Sequence, residues 1–413
     1  MPKLLNTESK YQFVPPHEGN LWPRVIGRAL PLYLKRKHAI TQIEVRGEQT
    51  LRELRQAGHG VLIAPNHCRM SDALVLQSLA SQARQPFYIM ASAHLFRGSK
   101  LLAWMIRRLG AFSVNREGID RQSIQKATDI LVAGQRPLVI FPEGALSHSN
   151  ERLNPLQEGV TFIARTAAAK LESANPGNRR IYTVPVAIRY VYQGDIEATA
   201  DRILTNIEQR LSWRPLHGQC LVERIYRVGH ALLALKEQEY VGRAHSGGID
   251  DRRTALINHI LAPLETEWLK GTKDGSTIAR VRDLRRAILP AMIDGELSLD
   301  ELNRRWRQLD DATFAQTVSL YPPQYVATRP TADRILETVE RFHEHLSGEE
   351  AANGPMKAII EVGQPIEVSA KRDRTARIDP LLQSIEQSLN DLLARTSNET
   401  RMYKEPAQLR LPQ

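Results

Sequence analysis

Hydrophobic and polar positions along this chain follow two rhythms. From 41 to 193, short apolar runs alternate with stretches of helical spacing. QIEVRG (42–47) alternates as a strand does, and GVLIAPNH (60–67) is an apolar run opening into a helix-like stretch near 71–83. PFYIMAS (86–92) is strand-like, 95–109 reads as a helix stopped at Gly110, and AFSVNR (111–116) is a short strand. Residues 119–134 form a helix ended by Gly134, RPLVIFPEG (136–144) a buried strand breaking into a loop, 158–172 a helix and RIYTVPVAIRYV (180–191) a last strand. Such alternation predicts an α/β fold, a mostly parallel or mixed sheet covered by helices. Near-continuous apolar strands such as VLIAP and LVIF suit central positions.

Residues 195–355 change character. They are charged and helical by period, as in 250–270, 276–289, 298–310 and 331–347, and read as a long helical insertion. PMKAIIEVGQPIEV (355–368) returns to strand with a turn. In 378–395, Ile378, Leu382, Ile385, Leu389 and Leu392 fall three or four apart, an amphipathic helix. The predicted organisation is a basic segment at 1–40, an α/β domain from 41–194 and 356–395, the insertion at 195–355 and a tail at 396–413.

Charge adds a surface to this outline. The net charge of +10 and pI near 9.6 favour an anionic partner. Seven Lys or Arg against two Asp or Glu place half of that excess in residues 1–40. Within it, LWPRVIGRALPLYLKRKH (21–38) mixes apolar side chains and a Trp with five basic groups, the composition of a helix lying on an anionic membrane. A helix packed on the protein's own core has the same composition. Pro31 is expected to kink or end this helix, and 1–20 reads as a loose leader. No apolar run reaches the roughly 18–20 residues of a spanning helix, no signal-peptide pattern is present, and Cys68 and Cys220 are the sole cysteines. The expectation is a cytoplasmic protein, peripheral on the inner face of the membrane.

Candidate chemistry begins at Asn66-His67-Cys68-Arg69-Met70-Ser71-Asp72, directly after a buried strand, where α/β folds place ligands. On an ideal helix His67 and Asp72 would lie about 140° apart. They pair if His67 occupies the turn and Asp72 the first turn of the helix. Asp72 would then orient the ring, and His67 would act as general base on a hydroxyl. A lone His-x4-Asp is more often a helix cap beside a satisfied turn histidine. Phe141-Pro142-Glu143-Gly144 follows a second buried strand, Arg116 a third, and Val184-Pro185-Val186-Ala187-Ile188 forms a fourth block. Each alone has a bland reading as turn, solvated arginine or core.

Together, in this order, NHCRMSD, GAFSVNR, FPEG and VPVAI resemble the glycerolipid acyltransferase family, and GQPI at 363–366 matches a turn that often follows them. The resemblance implies an α/β fold, a membrane-associated site, no cofactor or metal, and acyl-CoA or acyl-carrier-protein as co-substrate. It implies His67 and Asp72 as catalytic, with Asn66, Arg116, Pro142, Glu143 and Gly144 binding a lysolipid or glycerol-phosphate acceptor. One departure stands out. The family usually continues its third block with Thr-Arg-Ser, where this chain has Ala145-Leu146-Ser147, so an acceptor other than a simple glycerol phosphate is expected unless Arg116 or Arg152 substitutes.

Other classes lose ground. No G-x-S-x-G elbow supports a hydrolase, and no G-x-x-x-x-G-K-[ST] or G-x-G-x-x-G supports a nucleotide enzyme. His343-Glu344-His345 is not H-E-x-x-H. A nucleic-acid partner is not expected, since neither zinc-finger spacing nor an aromatic-interleaved basic patch occurs. A membrane-associated lipid-binding or scaffold protein on the same fold remains the alternative.

Overall fold

The computed structural model describes residues 11–116, 118, 120–174, 177–294, 297–349, 352–373 and 375–404. The chain divides into two compact units: an α/β unit of Tyr11–Gln193 and Gly354–Glu399, and a helical unit centred on Gly194–Asn353.

In chain order the α/β unit contains α1 (Leu21–His38), β1 (Ile40–Arg46), α2 (Gln49–Gln56), β2 (Gly60–Pro65), α3 (Asp72–Gln82), β3 (Tyr88–Ser92), α4 (Lys100–Arg108), β4 (Ala111–Val114), α5 (Arg121–Ala133), β5 (Leu138–Val139), α6 (Gly159–Ser173) and β6 (Ile181–Tyr192). The helical unit follows with α7 (Ile196–Arg210), α8 (Leu221–Val241), α9 (Ile249–Leu269), α10 (Thr277–Asp294), α11 (Leu299–Ser319), α12 (Tyr325–Thr328) and α13 (Ala332–Ser347). The chain then returns to the sheet as β7 (Met356–Val362), β8 (Ile366–Glu367) and α14 (Pro380–Arg395).

Among the described residues eight strands form one sheet in the order β1-β7-β6-β2-β5-β3-β4, with β8 beside β6. Strands β6, β2, β5, β3 and β4 run parallel, so their carboxyl ends share one edge. β7 and β8 pair antiparallel with β6. The predicted α/β sheet with helix-covered faces is what forms. All six residues of β2 are buried, as a strand covered on both faces requires. One core packs α5, α6 and α14 on the sheet through Leu131, Ala164, Ala167, Ile385 and Leu389.

Three expectations change. Residues 11–14 are no loose leader: Ser113 N donates to Val14 O and Val14 N to Ser113 Oγ, which covers the free edge of β4, and Phe13 packs edge-on to Phe112. Helix α1 continues through Pro31 to His38. The Pro31 ring is exposed, and the carbonyl it deprives of a donor belongs to Gly27, which is partly exposed and can turn toward water. The helix read at 95–109 is two pieces, a 3₁₀ turn at Ala93–Phe96 and α4, because the Gly98-Ser99 pair breaks it and Ser99 Oγ caps the second piece by accepting from Leu102 N.

The helical unit has its own core around Leu256, Ile260, Leu261, Leu284, Leu309 and Ala312. Three of its arginines pair with buried glutamates: Arg224 with Glu208 at 2.9 Å, Arg252 with Glu237 at 2.6 Å and Arg280 with Glu265 at 2.7 Å. Breaking such a pair leaves a charge uncompensated, at about 3–5 kcal/mol.

Gly110 sets the approach of β3 to β4. Its φ is +98°, and a Cβ there would lie 2.4 Å from Phe87 O. Gly110→Ala is expected to destabilise the protein by about 1–3 kcal/mol, from overpacking and a positive φ together. Thermal melting checks this, and an unchanged Tm would contradict it.

Candidate active site

The site forms where β2 stops and β6 does not. The last paired residues are Pro65 and Val186. Beyond them β6 continues toward Tyr192, and among the described residues no strand pairs with it on that side. Two asparagines take the strand's place. Asn66 Nδ2 donates to Ile188 O at 3.0 Å while Ile188 N donates to Asn66 Oδ1 at 2.7 Å. Asn150 does the same at Tyr190, donating to its carbonyl at 2.7 Å and accepting from its N–H at 2.9 Å. Backbone groups that would otherwise be buried without partners are thereby satisfied.

Freed from the sheet, residues 66–71 turn and bring His67 back over the first turn of α3. Its Nδ1 lies 2.8 Å from Oδ2 of Asp72. That oxygen also accepts from Cys68 N at 2.7 Å and Arg69 N at 2.9 Å. An oxygen taking two amide donors is an acceptor, so Nδ1–H is the donor and the lone pair falls on Nε2. The His67 side chain is 15% exposed and that of Asp72 is fully buried. Phe141 stacks on the imidazole with centroids 4.0 Å apart. The pair can take a proton from a hydroxyl delivered at the sheet's carboxyl edge.

Glu143 lies beneath the loop. Its Oε1 accepts from His67 N at 2.7 Å and its Oε2 from Asn154 N at 2.8 Å. Ser147 N donates to His67 O at 2.8 Å, a second tie between the two loops. Burial pushes the Glu143 carboxyl up from 4.5 to about 8, against the two amides that favour its charged form.

The residues named from sequence are therefore unequal. His67 and Asp72 meet. Asn66 and Glu143, expected to hold an acceptor, are buried and bind backbone groups instead. Pro142 is buried, its carbonyl accepting from Gln157 N, and Gly144 takes φ +70° against the Gln157 side chain. Arg116 is exposed at the end of β4, on the same edge as His67 but three strand spacings, about 14 Å, along it. It faces His94 at the end of β3, whose imidazole is driven down to about 4 by burial and by Arg116. Ala145-Leu146-Ser147 adds no cation, and Arg152 lies exposed further along that loop. Among the described residues no group of three or more His, Cys, Asp or Glu could hold a metal.

Sequence reasoning missed Tyr190, whose hydroxyl donates to Asp72 Oδ1 at 2.7 Å, and Asn150. Tyr190 stands two residues past the fourth block, so strand alternation already put it on the same side as Ile188.

A family model described as Acyltransferase matches residues 42–189, which hold Asn66, His67, Asp72, Arg116, Glu143 and Asn150 and end one residue before Tyr190. The α/β unit is therefore similar to acyltransferases over the stretch that contains His67 and Asp72. The chain is also 28% identical over 129 residues to a 1-acyl-sn-glycerol-3-phosphate acyltransferase of Streptococcus pneumoniae (strain ATCC BAA-255 / R6). That match covers 31% of this chain and 43% of the relative, so the chain spans less than half of the relative's length.

Burial of Glu143 makes folding take up a proton near neutral pH. The folded state holds that proton between about pH 4.5 and 8 while the unfolded state has lost it, so this group's contribution to stability is full below 4.5 and is lost as pH rises through 8. Tm of wild type minus Tm of Glu143→Gln should fall across that window. A difference independent of pH would mean that Glu143 ionises as an ordinary carboxyl.

Proposed function

We propose that this protein is an acyltransferase moving a fatty acyl group from an acyl-CoA or acyl-carrier-protein thioester to a lipid hydroxyl, with His67 as general base and Asp72 as its orienter. The observation that carries the reading is the 2.8 Å contact of His67 and Asp72 at the carboxyl edge of a family-matched sheet, the ring reaching solvent and the carboxylate not. The acceptor hydroxyl attacks the thioester carbonyl as His67 Nε2 takes its proton. The C–O bond forms, the C–S bond breaks, and the proton passes from His67 to the departing thiolate. The nucleophile is the substrate's own oxygen.

The acceptor follows from the charges near the edge. A lysophospholipid or glycerol phosphate would meet Arg116, but the third block offers Leu146 where the family's arginine is expected. A phosphate lacking one charge-assisted hydrogen bond loses roughly 1.5–3 kcal/mol. This favours a lysolipid or non-phosphate hydroxyl over a simple glycerol phosphate. The protein would work at an anionic membrane surface. Among the described residues no helix is long and apolar enough to cross a membrane. Helix α1 buries Leu30 and Leu34 but exposes Leu21, Val25, Leu32 and Tyr33 beside Arg24, Arg28, Lys35, Arg36 and Lys37. Trp22 joins Trp104 of α4 edge-on, and Leu101, Leu102 and Trp104 are also exposed. The basic last turn of α1 ends at His38, whose imidazole is held below its ordinary value by burial, then Lys37, then Arg69 of the His67 loop.

The direct test incubates purified protein with labelled acyl-CoA or acyl-carrier-protein and a panel of lysolipids, with products identified by mass spectrometry. An acylated product should form, and His67→Ala and Asp72→Asn should lower its rate by about 10²–10⁴ with the fold intact. Near wild-type turnover in His67→Ala would overturn the mechanism.

The membrane reading has its own check. Leu21→Glu with Val25→Glu should weaken co-sedimentation with anionic vesicles and slow turnover of vesicle-embedded acceptor while sparing a soluble short-chain acceptor. Equal loss on both acceptors would assign the helix to the core alone.

A further inference from the structure

The two oxygens of Asp72 are held differently. Oδ2 receives His67 Nδ1 and the amides of Cys68 and Arg69. Oδ1 receives the Tyr190 hydroxyl at 2.7 Å, with the Cys68 thiol at 3.8 Å. Tyr190 is 1% exposed, so no bulk water competes for that oxygen. Its backbone is fixed on both sides of the peptide by Asn150. Behind it, Ser71 Oγ lies 3.0 Å from the Tyr190 oxygen. Ser71 stands at the N-cap of α3, where a serine ordinarily accepts from the helix's first amides, yet its side chain makes no such bond. The hydroxyl is turned to Tyr190 instead. Burial, and the Asp72 charge after it, hold the Tyr190 phenol well above its ordinary value, so it remains a proton donor.

We infer that Tyr190, backed by Ser71 and clamped by Asn150, is a positioning residue for the acyl-transfer base, fixing the far oxygen of Asp72 so that the near one is aimed at His67. The inference rests on the role proposed for His67 and adds the third and fourth members of a buried line, Ser71 to Tyr190 to Asp72 to His67. Hydrogen bonds in such a line polarise one another. A carboxylate with donors on one oxygen alone can turn about its last torsion, and 1 Å of misplacement in a catalytic group costs on the order of a hundredfold. A carboxylate that has lost a donor also holds the His67 proton more tightly, which disfavours the neutral ring needed for catalysis.

Tyr190→Phe keeps the ring and removes the donor. In steady-state assays kcat should fall about ten- to a hundredfold, the range for losing a hydrogen bond to a charged group, with KM changed by less than about threefold. The acid limb of the kcat/KM profile should move to higher pH. Ser71→Ala should move the limb the same way by a smaller amount, which keeps the inference testable should Tyr190→Phe fold poorly. An unmoved acid limb in both variants overturns it, including the case where activity falls only in step with thermal stability. Wild-type kcat in Tyr190→Phe, with His67→Ala inactive, overturns this inference and leaves the base mechanism standing. Turnover by His67→Ala overturns both.

Discussion

A buried carboxylate organises this protein's α/β unit. Asp72 begins α3 with no solvent exposure and gathers donors from His67, Cys68, Arg69 and Tyr190. A buried ion without partners would cost several kcal/mol, so the loop around it has little freedom to be anything else. The amides of Cys68 and Arg69 fix the turn, and the turn fixes the histidine. What would be an exposed, mobile side chain on an ordinary loop becomes a ring held at Nδ1 by Asp72, with the side chain as a whole 15% exposed.

That arrangement depends on the sheet ending unevenly. β2 turns away at Pro65 while β6 runs on, and the asparagine amides of Asn66 and Asn150 reproduce the pairing of the missing strand. The loop that supplies Asn150 is anchored by Arg189, whose guanidinium is 1% exposed and binds Glu151 and the end of α14 at Leu393 O. Glu143 and Ser147 then tie this loop to the main chain of His67. The loops after β2 and after β5 therefore form one body, which suits a site that must hold its geometry to a fraction of an ångström.

Much of this was legible in the sequence, and the parts that were not share a cause. Periods of two and of three to four residues identify the strands and helices because they record which face is buried. His67 and Asp72 could be paired on paper because their separation is local and a strand end precedes them. Asn66 and Glu143 could be placed at the site, but not the direction in which they point: a polar residue after a buried strand can face a substrate or an unpaired amide, and only the lengths of β2 and β6 decide. Tyr190 lies 118 residues from Asp72, a contact no local pattern encodes. Pro31 misled because the rule against proline inside helices assumes a carbonyl without access to water.

The central claim is that Asp72 presents His67 as a base in one tautomer. Nitrogen-15 NMR of imidazole-labelled protein measures this directly. Wild type should show His67 protonated at Nδ1 with an unprotonated Nε2, and Asp72→Asn should lose that preference. A ring protonated at Nε2, or a tautomer unchanged by Asp72→Asn, would contradict the account.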